Sequence, residues 1–276
     1  RFHDEIKERL VKYDTDLGRT NAHGKPSVDR EVLKTSFSSI ADAKKLLNES
    51  PGKKGLMYSF KRFLEATVDA GDKGRLGKMK RLTVRDGHVP GFSGNEALKL
   101  QILGPVPTRK NGPYQFQWFK DSSHTRNGHS LILKLSFGQR SILLGGDLNT
   151  YSEKSLLGYY KQDNPFRVDA AKACHHGASE FTVEFMDAVK PYATVFSFGD
   201  NENYAHPRAD ALGCAGKYSR GTRPLVFSTE LARSMKSADD IHYGLINLRT
   251  DGKQMMLAQM LEKKRKSDIW DSYALP

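Results

Sequence analysis

The chain has 276 residues, with 38% apolar and 28% charged side chains, 44 Lys and Arg against 32 Asp and Glu, and a formal net charge of +12. That is enough apolar material for one large domain or two small ones, and it excludes a low-hydrophobicity, disordered class. Two cysteines exclude a disulfide framework, and no apolar run approaches the ~18 residues of a membrane span, so a cytoplasmic protein without a membrane span is expected. The excess of basic side chains favours a polyanionic partner, DNA or RNA, over an unspecialised basic surface.

Residues 1–97 read mainly as helix and loop. Helical spacing runs from His3 to Leu17, with Asp4 and Glu5 in the first turn where the helix dipole favours acid, then from Asp29 to about Phe37. Ser39 caps a third helix over Ala41 to Leu47, and Leu56 to Val68 forms a fourth with Leu56, Phe60, Phe63 and Leu64 on one face. Gly71 to Arg81 is glycine-rich and basic. Its Lys73, Arg75, Lys78, Lys80 and Arg81 are candidate nucleic-acid contacts, against the plainer reading of a solvated charged stretch.

From residue 98 the pattern changes to strands. Leu98 to Leu103 alternates with period two, and Ser130 to Phe137 turns through Gly138-Gln139 into Ser141 to Leu144 as a hairpin. Strands at Val168–Ala173 and Ala193–Phe198 alternate with helices at Ser152 to about Gln162, Ser179–Val189 and Arg208–Lys217. Strands at Pro224–Thr229, Tyr243–Arg249 and Gln254–Gln259 follow, then a basic tail over 261–276 carrying Lys263-Lys-Arg-Lys266. Strands, then strand–helix alternation, then strands again give a layered α/β core over 98–260.

Four strand ends carry chemistry. Asp147 follows two glycines after Leu144, where the bland alternative is a turn-forming Asp. His175 and His176 end the strand from Val168; on an extended backbone their rings would point to opposite sides, one to a metal and one to substrate. His206 precedes Pro207, which restricts its backbone, and His129 leads into the hairpin at the edge where Asp147 emerges. Imidazole and carboxylate are donors for zinc, manganese or iron, and a carboxylate can bridge two ions that share a hydroxide.

As an ordered set, Asn127-Gly-His-Ser-Leu-Ile-Leu-Lys-Leu, Ile142-Leu-Leu-Gly-Gly-Asp-Leu, Lys172-Ala-Cys-His-His-Gly-Ala-Ser, Val189-Lys-Pro and Tyr204-Ala-His-Pro resemble the metallo-β-lactamase fold superfamily. Within it they are similar to the branch holding the nuclease domain of ComEC-type DNA-uptake competence proteins, which reads Asn-x-x-Ser, Thr-Gly-Asp, His-His-Gly-Ser and Tyr-Gly-His-Pro at these points. The resemblance covers about residues 98–250. It implies an α/β fold of the four-layer αββα sandwich type and two divalent ions, zinc or manganese. Asp147 corresponds to the bridging Asp, His175 to the late His ligand and His129 to the lone His of the third motif. His176 and His206 would contact the phosphate or protonate the leaving oxygen, which makes Asp147, His176 and His206 the catalytic set. The superfamily's His-x-His-x-Asp-His motif does not occur in these 276 residues. Two explanations stand: the motif precedes Arg1, or the site is degenerate. The expectation is a metal-dependent phosphodiesterase or nuclease. The alternatives are the same fold acting on a small phosphodiester, lipid, ester or amide, and a non-catalytic subunit that binds nucleic acid or a protein partner in a larger assembly.

Overall fold

A computed structural model describes residues 31–34, 39–48, 58–77, 79–109, 114–199, 204–229, 245–260 and 269–276. The expected helix at His3–Leu17, Lys78 and the Lys263–Lys266 cluster lie outside the described residues. The chain divides into two compact units: residues 1–82 with 107–126, and residues 83–106 with 127–276.

In the first unit, β1 (Glu31–Lys34) pairs antiparallel with β3 (Gln115–Gln117). This corrects the helix expected over Asp29–Phe37. A few apolar positions at helical spacing do not hold a helix where a partner strand more than eighty residues away supplies a ladder. Helix α1 (Ile40–Asn48) is capped as expected, with the Asp42 N–H donating to Ser39 Oγ at 3.0 Å. It packs on α2 (Tyr58–Asp72) through Ala43 and Leu64, both fully buried, with Val68 and Met79 beside them. Phe63, expected on that buried face, is 55% exposed.

The second unit carries a six-stranded mixed sheet in the order β2-β4-β5-β6-β7-β8. Its members are β2 (Leu98–Gly104), β4 (Ile132–Phe137), β5 (Arg140–Leu144), β6 (Ala170–Lys172), β7 (Ala193–Phe196) and β8 (Leu225–Ser228). The β2, β4 and β5 pairings are antiparallel, and β5 through β8 run parallel. Strand alternation then assigns the two faces. Leu103, Ile132, Leu143 and Ala171 point to one side, where Leu156 of α4 (Thr150–Tyr160) and Phe185 and Val189 of α5 (Val183–Val189) cover them. Helix α6 (Ala209–Lys217) adds Ala211 and Ala215 against Phe196. Ile142, Ala170, Ala193, Val195 and Phe227 point to the other side, against Leu248, Met255, Leu257 and Tyr273 of a three-stranded antiparallel sheet. That sheet comprises β9 (Ile246–Thr250), β10 (Met255–Met260) and β11 (Trp270–Ala274). The layers of this unit are thus helix, sheet, sheet. Each fully buried Leu or Phe contributes about 1.5–3 kcal/mol of transfer free energy. Strand β11 arises inside the stretch that reads as a basic tail.

Polar groups fix how the layers register. Asp169, nearly buried, accepts from the Ser141 N–H at 2.8 Å and faces Arg220 at 3.3 Å and Arg140 at 3.7 Å. Arg140 also donates to the Lys253 carbonyl and to a Pro276 oxygen, tying the start of β5 to the turn between β9 and β10 and to the residues after β11. Helix α4 is capped by Asn149, not by the expected Ser152. Ser152 instead fills the third helical position of a capping box, and its hydroxyl receives the Asn149 N–H at 3.0 Å. Glu153 of the same helix is buried. Its Oε2 accepts from the Thr182 N–H at 2.5 Å and the Thr182 hydroxyl at 2.9 Å, and Thr182 in turn caps α5.

Burial pushes the Glu153 carboxyl up to about 7 from an ordinary 4.5. The folded protein therefore holds a proton that the unfolded chain releases between those values. The contribution is full below about pH 4.5, is lost as pH rises to about 7, and is flat above, to a total on the order of 3 kcal/mol. Denaturant midpoints of Glu153→Gln measured from pH 4.5 to 8 are expected to lack this decline; a slope equal to the wild type's would assign it to another group.

Candidate functional site

The hairpin register sets the site's first edge. β4 and β5 pair with Phe137 opposite Arg140 and Leu133 opposite Leu144, so the turn falls at Gly138-Gln139 as expected. Carried past the strand ends, that register brings Ser130 across from Asp147, and the Asp147 N–H donates to Ser130 Oγ at 3.0 Å. Ser130 Oγ donates onward to the Asn127 carbonyl at 2.7 Å. Two glycines allow this approach. A Cβ at Gly146, where φ is +56°, would fall 2.6 Å from Ser130 Cβ, and one at Gly145 would fall 2.4 Å from Cys174 Sγ.

β6 delivers the histidine pair next, and here the extended backbone expected from the sequence is corrected. His175 (φ 45°, ψ 43°) and His176 (φ 56°, ψ 15°) are both left-handed and Gly177 follows at φ 85°, so the chain turns tightly. Side chains rarely adopt this conformation, and it persists only where surroundings fix it. They do so here: the His175 N–H donates to the Gly146 carbonyl at 3.0 Å and the Ala178 N–H to the His175 carbonyl at 2.9 Å. His176 Nδ1 bonds the Ser197 carbonyl at the end of β7. The turn is also locked to the His206 loop, because the Arg208 N–H donates to the Gly177 carbonyl at 2.8 Å.

The consequence is that both imidazoles reach one place. The rings of His175 and His206 lie 5.8 Å apart between centroids, and those of His176 and His206 lie 6.3 Å apart and nearly parallel. His176 Nε2 is 3.6 Å from Asp147 Oδ1, both side chains being about 40% exposed. Asn127 Nδ2 sits 3.5 Å from His175 Nε2, while His175 Nδ1 is buried without a hydrogen-bond partner. Of the residues expected at the site, Asp147, His175, His176 and His206 therefore converge. His129 is half-buried at the turn between α3 (Ser122–Gly128) and β4, flanked by Asn127 and Ser130, which reach the cluster. Both flanking residues belong to the motif read for His129, and the hairpin register alone identifies Ser130 as the one facing Asp147.

The charges are unequal. Burial lowers the pKa of His175, with opposing help from Asp147, and burial followed by His175, His176 and Arg208 lowers that of His206. Both rings are therefore neutral at neutral pH, the form that accepts a proton or ligates a metal. Burial pushes the neighbouring Cys174 thiol far up, which makes it a packing group and no nucleophile.

Imidazole and carboxylate suit a divalent metal in kind, and His175 Nδ1 is buried with no hydrogen-bond partner. In number they fall short. Among the described residues, no group of three or more His, Cys, Asp and Glu side chains is arranged to hold an ion. The basic candidates belong to the first unit. Lys73 pairs with Asp69 at 2.7 Å, Arg75 and Lys80 are exposed, and Arg81 lies 4.4 Å over the Phe116 ring, its pKa lowered by burial.

Gly177 is the residue on which this assembly turns most directly. A Cβ there would meet the Phe196 ring at 2.6 Å and Pro207 at 2.8 Å, on a backbone already left-handed. Gly177→Ala is expected to lower stability by about 2 kcal/mol or more and to shift the ring resonances of His176 and His206. Gly158→Ala, in α4 with open space around it, serves as the control and is expected to be neutral or stabilising. Equal effects in urea melts of the two variants would refute the account.

No family profile matches the chain. Over 96 residues, 34% of its length, it is 29% identical to ComE operon protein 3 of Bacillus subtilis. Over 82 residues, 29% of its length, it is 35% identical to Competence protein ComA of Neisseria gonorrhoeae. In both cases the aligned stretch spans 12% of the relative. Among the described residues no helix is long and apolar enough to cross a membrane. The chain is thus a distant relative of these competence proteins over part of its length.

Proposed function

We propose that the second unit is the strand-end part of a phosphodiesterase that acts on nucleic acid, built on an αββα sandwich of the metallo-β-lactamase type and working in a reducing, cytoplasmic setting. The observation that carries the reading is the convergence of Asp147, His175, His176 and His206 on a strained turn. Outliers of this kind concentrate where a site is pre-organised. The similarity to two competence proteins supports a role with DNA, and the net charge of +12 supports a polyanionic substrate. In this reading helices would cover the outer face of β9–β11 to complete the fourth layer.

The chemistry available to the side chains follows from one tautomer. A carbonyl only accepts, so the bond from His176 to the Ser197 carbonyl puts a proton on Nδ1. In the neutral ring the Nε2 lone pair then faces Asp147 Oδ1 at 3.6 Å, too far for a direct hydrogen bond. Two electron-rich groups at that spacing repel until a proton or cation comes between them. His176 can therefore take a proton from an attacking water or return one to a leaving oxygen, with Asp147 stabilising the imidazolium. Neutral His206, parallel to His176, orients the phosphate beside it. Asp147 and His175 are the residues that would hold divalent metal, zinc or manganese, as members of a larger donor set. Such ions, when bound, supply Lewis acidity and a water of lowered pKa.

A second reading, a subunit that binds nucleic acid or a protein partner without cleaving, draws on the small number of metal donors among the described residues. One experiment separates the two. The full-length protein is assayed with manganese or zinc against labelled single-stranded and duplex oligonucleotides and against bis-p-nitrophenyl phosphate. Cleavage reduced about a hundredfold or more in Asp147→Asn and His176→Gln, with binding retained, is the expected result. Binding without turnover in the wild type leaves the second reading. Turnover of the small ester alone moves the substrate to small phosphodiesters.

A further inference from the structure

Tyr204 is an aromatic residue that the catalytic account leaves unused. It is 65% exposed, although it adjoins the most constrained part of the unit. Its ring lies 5.8 Å from that of His206 at an interplanar angle of 25°, and His206 lies 6.3 Å from His176 at 14°. These separations fall in the range of offset stacking. Tyr204, His206 and His176 thus stack in turn as a column of near-parallel rings, from the exposed Tyr204 to His176 beside Asp147. Its inner end is fixed by the bond from His176 to the Ser197 carbonyl and by the Arg208 N–H to the Gly177 carbonyl.

Arg208 adds charge at the same place. It is exposed, it stands at the N-terminus of α6, and it makes no ion pair among the described residues. It is two residues beyond His206, as Tyr204 is two residues before it.

We propose that Tyr204 is the base-stacking residue of this site and Arg208 its phosphate contact, so that the site takes an unpaired nucleotide of a single strand. The inference rests on the nucleic-acid reading above and names its substrate form. A base laid on the outer face of Tyr204 extends the column by one ring and positions the adjoining phosphodiester toward His206 and His176. Stacking of this kind accepts any base, because every base has a π face, and the guanidinium takes the phosphate oxygens. In a duplex both faces of each base are already covered by neighbours, so the column discriminates against paired strands.

The test measures binding of the whole chain to a fluorescent single-stranded 15-mer and to its duplex, with 2-aminopurine placed within the strand. Tyr204→Ala is expected to weaken single-strand binding about tenfold and to remove the quenching of 2-aminopurine, while Tyr204→Phe retains both. Duplex binding is expected to be unchanged. Arg208→Ala is expected to reduce the slope of log affinity against log salt by about one. Tyr204 is largely exposed, so thermal midpoints of its variants should match the wild type and separate lost contact from lost fold. Single-strand affinity in Tyr204→Ala equal to the wild type's overturns the proposal even if the chain cleaves DNA. Tyr204-dependent binding without any cleavage by the metal-loaded full-length protein upholds it and refutes the catalytic reading. A wild type that binds neither oligonucleotide overturns both.

Discussion

The left-handed bend at the end of β6 is the constraint from which most of the site follows. Two non-glycine residues, His175 and His176, hold positive φ in succession and Gly177 makes a third. An L-residue in this region is disfavoured by roughly 1–2 kcal/mol, because Cβ crowds the following carbonyl. On a straight strand the two rings would diverge to opposite faces of the sheet. The bend instead directs both toward His206 and leaves His176 facing Asp147. What offsets the strain lies on three different segments: the Gly146 carbonyl after β5, the Ser197 carbonyl after β7, and the Pro207–Arg208 start of α6. The parallel order β5-β6-β7 is what makes those segments neighbours at one sheet end.

Much of this was legible in the sequence, and for a definite reason. Leu98–Leu103 alternates apolar and polar residues over most of its length, so its period of two is present in the residues themselves. Each strand end was marked by a glycine or a change to polar residues, and the four converging residues were found from those marks. What escaped is what depends on distant partners. β1 carries a helical spacing because its ladder comes from Gln115–Gln117 and not from its own sequence, and β11 lies hidden in a charged stretch because its pairing depends on β10. The sequence at His175-His176 suggests an extended backbone because no local propensity announces two left-handed histidines; tertiary hydrogen bonds impose them. Asn149 displaced Ser152 as the cap by the same logic, since both types cap well and only the path of the chain decides.

The buried polar groups near the site divide into those that bear on chemistry and those that hold the frame. Glu153 lies beneath the turn and binds Thr182, so it fixes the start of α5 and the segment that leaves the histidines. Asp169 does the corresponding work at the opposite ends of β5 and β6, where Arg140 and Arg220 converge. One end of the parallel strands is thus closed by ion pairs with their partners in place. The other end presents carboxylate and imidazoles that are incompletely paired. That asymmetry agrees with the general rule that ligands of parallel sheets sit at the carboxyl ends of the strands.

Ala205 sharpens the case for the loop that carries His206. It has φ of 49°, a region glycine enters freely and alanine does not, and the competence-branch motif that this segment resembles carries glycine at the same point. If local preference set the loop, alanine would relax it toward an ordinary conformation and carry His206 away. The loop keeps its form because its far end is anchored: Pro207 packs against Gly177, and Arg208 bonds the Gly177 carbonyl. The position of His206 is therefore dictated by the same bend that orients His175 and His176. The three histidines form one mechanical unit, and the strain at Ala205 is held in place by contacts at its far end.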